Sequence, residues 1–141
     1  MAVRGARATW KGGLKDGAGN FAGESGMLSG SYNFGSRFGT GPGTNPEEMV
    51  GAAHAACFSM ALSGGLERAG TPATDVTTTA KVTIEKVGDA FRITGIALTS
   101  RVKVAGIDAA AFAAIANATK TGCPISAALA SVPITLDAQL A

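Results

Sequence analysis

One segment governs what this chain can fold into. Asn45-Pro46-Glu47-Glu48 reads as a helix start. Asparagine suits the N-cap, proline suits the first helical position, and Glu48 stands three residues after Asn45 as a capping-box partner. The helix can run to about Arg68, where Gly70 and Pro72 stop it. Its middle, VGAAHAACFSMALSGG, is apolar or small on every side, the pattern of a helix buried all round. Glycine and alanine there let a second backbone come close. The longest apolar run, residues 49–62, is broken by His54 and Ser59 and falls short of the about 20 residues of a membrane span. No membrane partner is expected.

The remaining segments read as strands and short helices around this one. Residues 3–10 suit an edge strand, and 12–23 are glycine-rich turn material. Residues 24–34 read as one or two strands with glycine breaks, and 35–45 as a loop carrying a single guanidinium, Arg37. Residues 76–87 and 90–104 are β-branched and alternating, joined by a two-residue turn at Gly88-Asp89. Asp108 caps a helix over 109–120 that ends at Gly122. Cys123-Pro124 opens a third, short helix, and 132–140 close the chain as a strand of the sheet. Strands grouped around two or three helices predict one α+β domain over residues 1–141.

Composition narrows the class. At 141 residues, with 46% hydrophobic and 16% charged, the chain is a folded domain rather than a disordered segment. Its net charge of +2 comes with no Lys/Arg cluster, so nucleic acid is not an expected partner. No apolar segment follows the early charges of the N-terminus, so no secretory signal is read and a cytosolic protein is expected. Counting gives 28 Ala and 20 Gly, so 48 of the 141 residues have almost no side chain. Such a chain has a thin core of its own, and sharing it with a second copy is one remedy. Homodimerisation is the starting expectation.

Two cysteines stand 66 residues apart, at Cys57 in the middle of the long helix and Cys123 at a helix start. Buried free cysteine is commonly inert. A thiol at a helix N-terminus, however, faces unpaired N–H groups that lower its pKa, which singles out Cys123. No metal is expected: Cys57, Cys123 and His54 are three ligands where structural zinc takes four. His54 reads as a hydrogen-bonded core residue. Singly, Glu47 is explained by first-turn helix electrostatics and Arg37 as a solvated loop residue.

Together, the stretch SRFGTGPGTNPEEMVGAAHAACFSMAL and the later TGCPISAAL resemble the OsmC/Ohr family of thiol-dependent hydroperoxide reductases. The AAHAAC form is closer to the OsmC branch. All four functional positions of that family are filled here, by Arg37, Glu47, Cys57 and Cys123. The resemblance implies an OsmC-like fold, with a mixed or antiparallel sheet, a long central helix carrying the first cysteine, and an intertwined homodimer. It implies that Cys57 is the peroxidatic residue, that Cys123 closes a disulfide with it, and that an external dithiol of lipoyl type restores both. No cofactor is implied.

A thiol in an apolar helix should be hard to ionise, and only a nearby cation reverses that. Arg37 is the cation the motif supplies, with Glu47 to orient its planar fork. Met49, Val50, Phe58 and Met60 are candidates to line a pocket for organic peroxides. Glu47 and Cys57 lie ten residues apart, about 15 Å along one helix, so they cannot share a site within one chain. Two such helices packed antiparallel would build two composite sites. The alternatives from other classes are a redox-sensing or binding module using the same pair, and a structural domain with inert thiols.

Overall fold

The computed structural model describes residues 1–141 as ten elements in chain order. They are β1 (Ala6–Lys11), β2 (Ala18–Gly23), β3 (Ser29–Asn33), α1 (Phe34–Phe38), α2 (Pro46–Arg68), β4 (Ala73–Val87), β5 (Ala90–Val104), α3 (Ala109–Gly122), α4 (Pro124–Ala128) and β6 (Ile134–Leu140). The α+β class forms as expected, and α2 and β5 keep their expected bounds. The strands do not make one sheet. β1-β2-β3 form an antiparallel meander, and β4-β5-β6 form a mixed sheet in which β4 and β5 are antiparallel and β5 and β6 parallel.

The chain groups into two compact units, Met1–Met49 and Val50–Ala141. In the first, residues 12–23 are not all turn: β2 lies between β1 and β3. Its Gly19 is required by close approach, because a Cβ there would meet the Tyr32 ring at 2.7 Å and the Thr9 carbonyl oxygen at 2.6 Å. The expected 35–45 loop also begins as a helix, α1, capped by Asn33. The Asn33 side chain accepts from the Ser36 amide, and Ser36 Oγ accepts from the Asn33 amide, both at 2.9 Å. Within Met1–Met49 only Gly19, Ser36 and Glu47 are buried, so this unit contains no buried apolar side chain.

The second unit holds the core. Phe58, Leu62 and Leu66 from α2 pack with Ile96, Leu98 and Val102 from β5, Phe112 and Ala116 from α3, and Cys123. Each large apolar side chain so buried contributes about 1.5–3 kcal/mol. Alternation does the placing: Ile96, Leu98, Ser100 and Val102 are buried, and the residues between them are more exposed. The hydroxyls inside are paired, Ser59 donating to Thr78 at 2.8 Å, and Thr78 bonding Ser100 at 3.1 Å across the β4–β5 pair.

α2 is not buried all round within one chain. Its buried positions, Glu47, Gly51, His54, Phe58, Leu62 and Leu66, form a single stripe at helical spacing. Ala52, Ala53, Ala56 and Met60 are exposed, Met60 at 82%. At 23 residues α2 is also long and apolar enough, by length and composition, to cross a membrane. Its buried stripe is the one that supplies the core.

Candidate active site

Two pairs of the expected residues come together, one in each unit. Arg37 lies in the last turn of α1 and Glu47 in the first turn of α2. Arg37 Nη2 donates to Glu47 Oε1 at 2.8 Å, and Nε donates to Oε2 and Oε1 at 3.2 and 3.3 Å. The turn between them is held by side chains: Ser36 Oγ donates to the Thr44 carbonyl at 2.8 Å, and Asn45 Nδ2 to the Ser36 carbonyl at 3.1 Å. Asn45 caps α2 by accepting from the Glu48 amide at 2.8 Å. The reciprocal half of the expected capping box is replaced, since the Glu48 carboxylate accepts from Thr44 Oγ1 at 2.6 Å.

The guanidinium also lies 5.2 Å from the centre of the Phe38 ring. A groove of about 280 Å³ opens there, lined by Trp10, Leu14, Tyr32, Phe34, Phe38 and Arg37. The carboxylate end of the ion pair is buried and the guanidinium end is about a third exposed. Arg37 therefore faces a small, aromatic-walled cleft with its charge fixed in direction.

The cysteines meet in the second unit. Their sulfurs are 2.9 Å apart, both thiols free, Cys57 half-buried and Cys123 fully buried. Their proton affinities are pushed apart. Burial raises the Cys57 thiol, the hydrogen bond to Cys123 and the neighbouring charge raise it further, and the Ile125 amide opposes them. Burial also acts upward on Cys123. The hydrogen bond from Cys57, the Ser126 amide and hydroxyl, and the Ile125 amide outweigh it and hold that thiol below its ordinary range. The groups acting on Cys57 all come from its own unit, and no guanidinium is among them.

His54, one turn before Cys57 on α2, is fully buried and bonds Ser126 Oγ through Nε2 at 2.7 Å. Burial keeps its pKa low. Ser126 went unread in the sequence, although its place three residues after Cys123, beside a proline helix start, was a usable signal. Of the expected pocket residues, Phe58 instead fills the core and Met60 points outward. No group of three or more His, Cys, Asp or Glu is arranged to hold a metal ion.

Known proteins share this arrangement of elements. The organic hydroperoxide resistance protein from Elizabethkingia anophelis superposes with a TM-score of 0.79 at 23% identity, over 100% of this chain and 98% of that one. OhrB of Bacillus subtilis, also an organic hydroperoxide resistance protein, gives 0.76 at 25% identity, over 96% and 98%. The peroxiredoxin OsmC of Escherichia coli is 52% identical over 135 residues, 95% of this chain and 94% of that protein. The OsmC-like protein family matches residues 39–137, from the glycine loop after Arg37 through both cysteines into the last strand. With the fold and the sequence agreeing over nearly the whole length, the chain belongs to the OsmC-like family.

Proposed function

We propose that this chain is a thiol-dependent peroxidase acting on organic hydroperoxides and on hydrogen peroxide. The observation that carries the reading is the meeting of two free sulfurs, 66 residues apart in sequence and 2.9 Å apart in space, in a chain 52% identical to a protein named a peroxiredoxin. Accessibility supports the division of roles. Cys123 has the lower proton affinity but is sealed from solvent, so the half-buried Cys57 is the sulfur a peroxide can reach.

Cys57 thiolate attacks one peroxide oxygen, the O–O bond breaks, and the leaving oxygen takes a proton as alcohol or water. Cys57 is then a sulfenic acid. Cys123 thiolate attacks its sulfur, an S–S bond forms, and hydroxide departs to become water with one proton. An external dithiol of lipoyl type gives up two electrons and two protons, becoming a disulfide while both cysteines return to thiols. Arg37, oriented by Glu47, stabilises the Cys57 thiolate and the charge on the departing oxygen.

The site is completed by a second copy of the chain. Support comes from a first unit without buried apolar side chains and from the exposed Ala52, Ala53, Ala56 and Met60 face of α2. A homodimer that covers this face and brings Arg37 and Glu47 of one protomer to Cys57 of its partner satisfies both. The working compartment is the cytosol, where dithiols keep the pair reduced.

Steady-state peroxide consumption with a lipoyl dithiol tests the proposal. Cys57→Ser abolishes turnover, whereas Cys123→Ser consumes one equivalent and then stalls with dithiols. Turnover by the Cys57 variant overturns the assignment. One round of oxidation without recycling in the native protein points instead to a redox sensor.

A further inference from the structure

We propose that His54 and Ser126 act as a positioning pair for Cys123, aiming the serine hydroxyl proton at its sulfur so that this cysteine stands ready to close the disulfide. The proposal rests on the peroxidase reading above and assigns a role to the one histidine of the chain, which that mechanism leaves unused.

Three residues from two helices meet in a region closed to water. His54 and Cys123 are 0% exposed and Ser126 is 2% exposed. His54 Nε2 lies 2.7 Å from Ser126 Oγ. Ser126 stands one turn after Cys123, in α4, and its hydroxyl is among the groups that hold the Cys123 thiol below its ordinary range. His54 Nδ1 is buried with no partner.

The unpartnered nitrogen decides the direction of the chain. A neutral imidazole carries one proton, and an orphaned buried N–H is the rarer and costlier of the two possibilities. The proton therefore belongs on Nε2, where it is donated to Ser126 Oγ. A hydroxyl has one proton, and with its oxygen already accepting from His54 that proton is free to point at Cys123. The opposite tautomer would turn the hydroxyl toward the ring and leave the sulfur without it. Burial supports the neutral ring.

The titratable and charged groups at this spot are Cys57 and His54 from α2 and Cys123 itself. Arg68 and Lys120 line the clefts beside Cys123 and Ser126.

The experiment compares the native protein with Ser126→Ala, His54→Leu and His54→Gln after one equivalent of cumene hydroperoxide. Dimedone trapping times the appearance of Cys57 sulfenic acid, and non-reducing mass spectrometry times disulfide closure across pH. In Ser126→Ala and His54→Leu, closure slows about 10-fold relative to oxidation, and its half-maximal pH moves up by about one unit. His54→Gln, whose amide N–H can still reach the hydroxyl, recovers most of the rate. If His54→Leu does not fold, Ser126→Ala decides alone, since it removes one oxygen. A closure profile in Ser126→Ala that overlays the native one overturns the positioning role. Absence of any sulfenic acid in the native protein defeats the peroxidase reading itself, and the positioning role with it.

Discussion

Glu47→Gln tests the ion pair on which the direction of Arg37 depends. Glutamine keeps the shape and removes the charge. The carboxylate side chain is 8% exposed and the guanidinium 36%. Removing one partner of a fully buried pair costs about 3–5 kcal/mol, whereas an exposed pair is worth under about 1 kcal/mol. With one end buried and the other a third open, a loss of about 2 kcal/mol is expected. Losing a negative charge at the start of α2 adds about 0.3–1 kcal/mol. For a chain of this size the sum lowers Tm by about 6–12 °C.

A cycle with Arg37→Met and the double variant isolates the pairwise part, expected at about 1.5–2 kcal/mol. Urea denaturation at one fixed protomer concentration measures it, because the proposed dimer would make apparent stability concentration-dependent. Peroxide turnover should fall in both single variants, and by no more in the double. Two single effects that add, with coupling below about 0.5 kcal/mol, would refute the reasoning: the fork would be a surface contact, and Arg37 would not be held in place by Glu47.

Three other outcomes are expected. Thiolate absorbance near 240 nm should rise in two steps on raising pH, one group ionising below the about 8.5 of a free cysteine and one above it. Cys57→Ala removes the hydrogen bond that most lowers Cys123 and so moves the early step upward. Met60→Glu, on the exposed face of α2, should shift sedimentation toward monomer and abolish turnover; an active monomer rejects the composite site. Gly88→Ala should cost about 1–2 kcal/mol in a denaturant melt. Gly88 sits at φ 62° with nothing within 4 Å of an added Cβ, so the loss is backbone strain alone.

What could be read from residues alone follows the reach of the signals. Caps, prolines and β-branched alternation are local, and they placed α2, β5 and the Gly88 turn. β2 was hidden because its glycines imitate turn composition, while the cause of Gly19, a tyrosine ring across the sheet, is not local. α1 carried a legible cap in Asn33 and Ser36, but the glycines around it outweighed five residues of helix. The apolar circumference of α2 could not reveal which part is covered by its own chain. Cys123 stood out by its place at a helix start, but the joint roles of Arg37, Glu47, Cys57 and Cys123 came from resemblance, since spacing alone cannot show that residues 57 and 123 meet. That His54 and Ser126 meet, 72 residues apart, is disclosed only by the fold.

The proximity of the two sulfurs before oxidation has a mechanical consequence. Joining them needs little movement of either helix, yet it would staple a 66-residue span of the chain. Such a cross-link restricts the unfolded ensemble by about 4 kcal/mol in the chain-entropy picture. An attacked molecule that closed this bond would become harder to melt at the moment its surroundings turn oxidising. Thermodynamic reciprocity runs the other way with equal force: the intact architecture protects the staple from rupture, so repair must come from a reagent able to reach it without dismantling the protein.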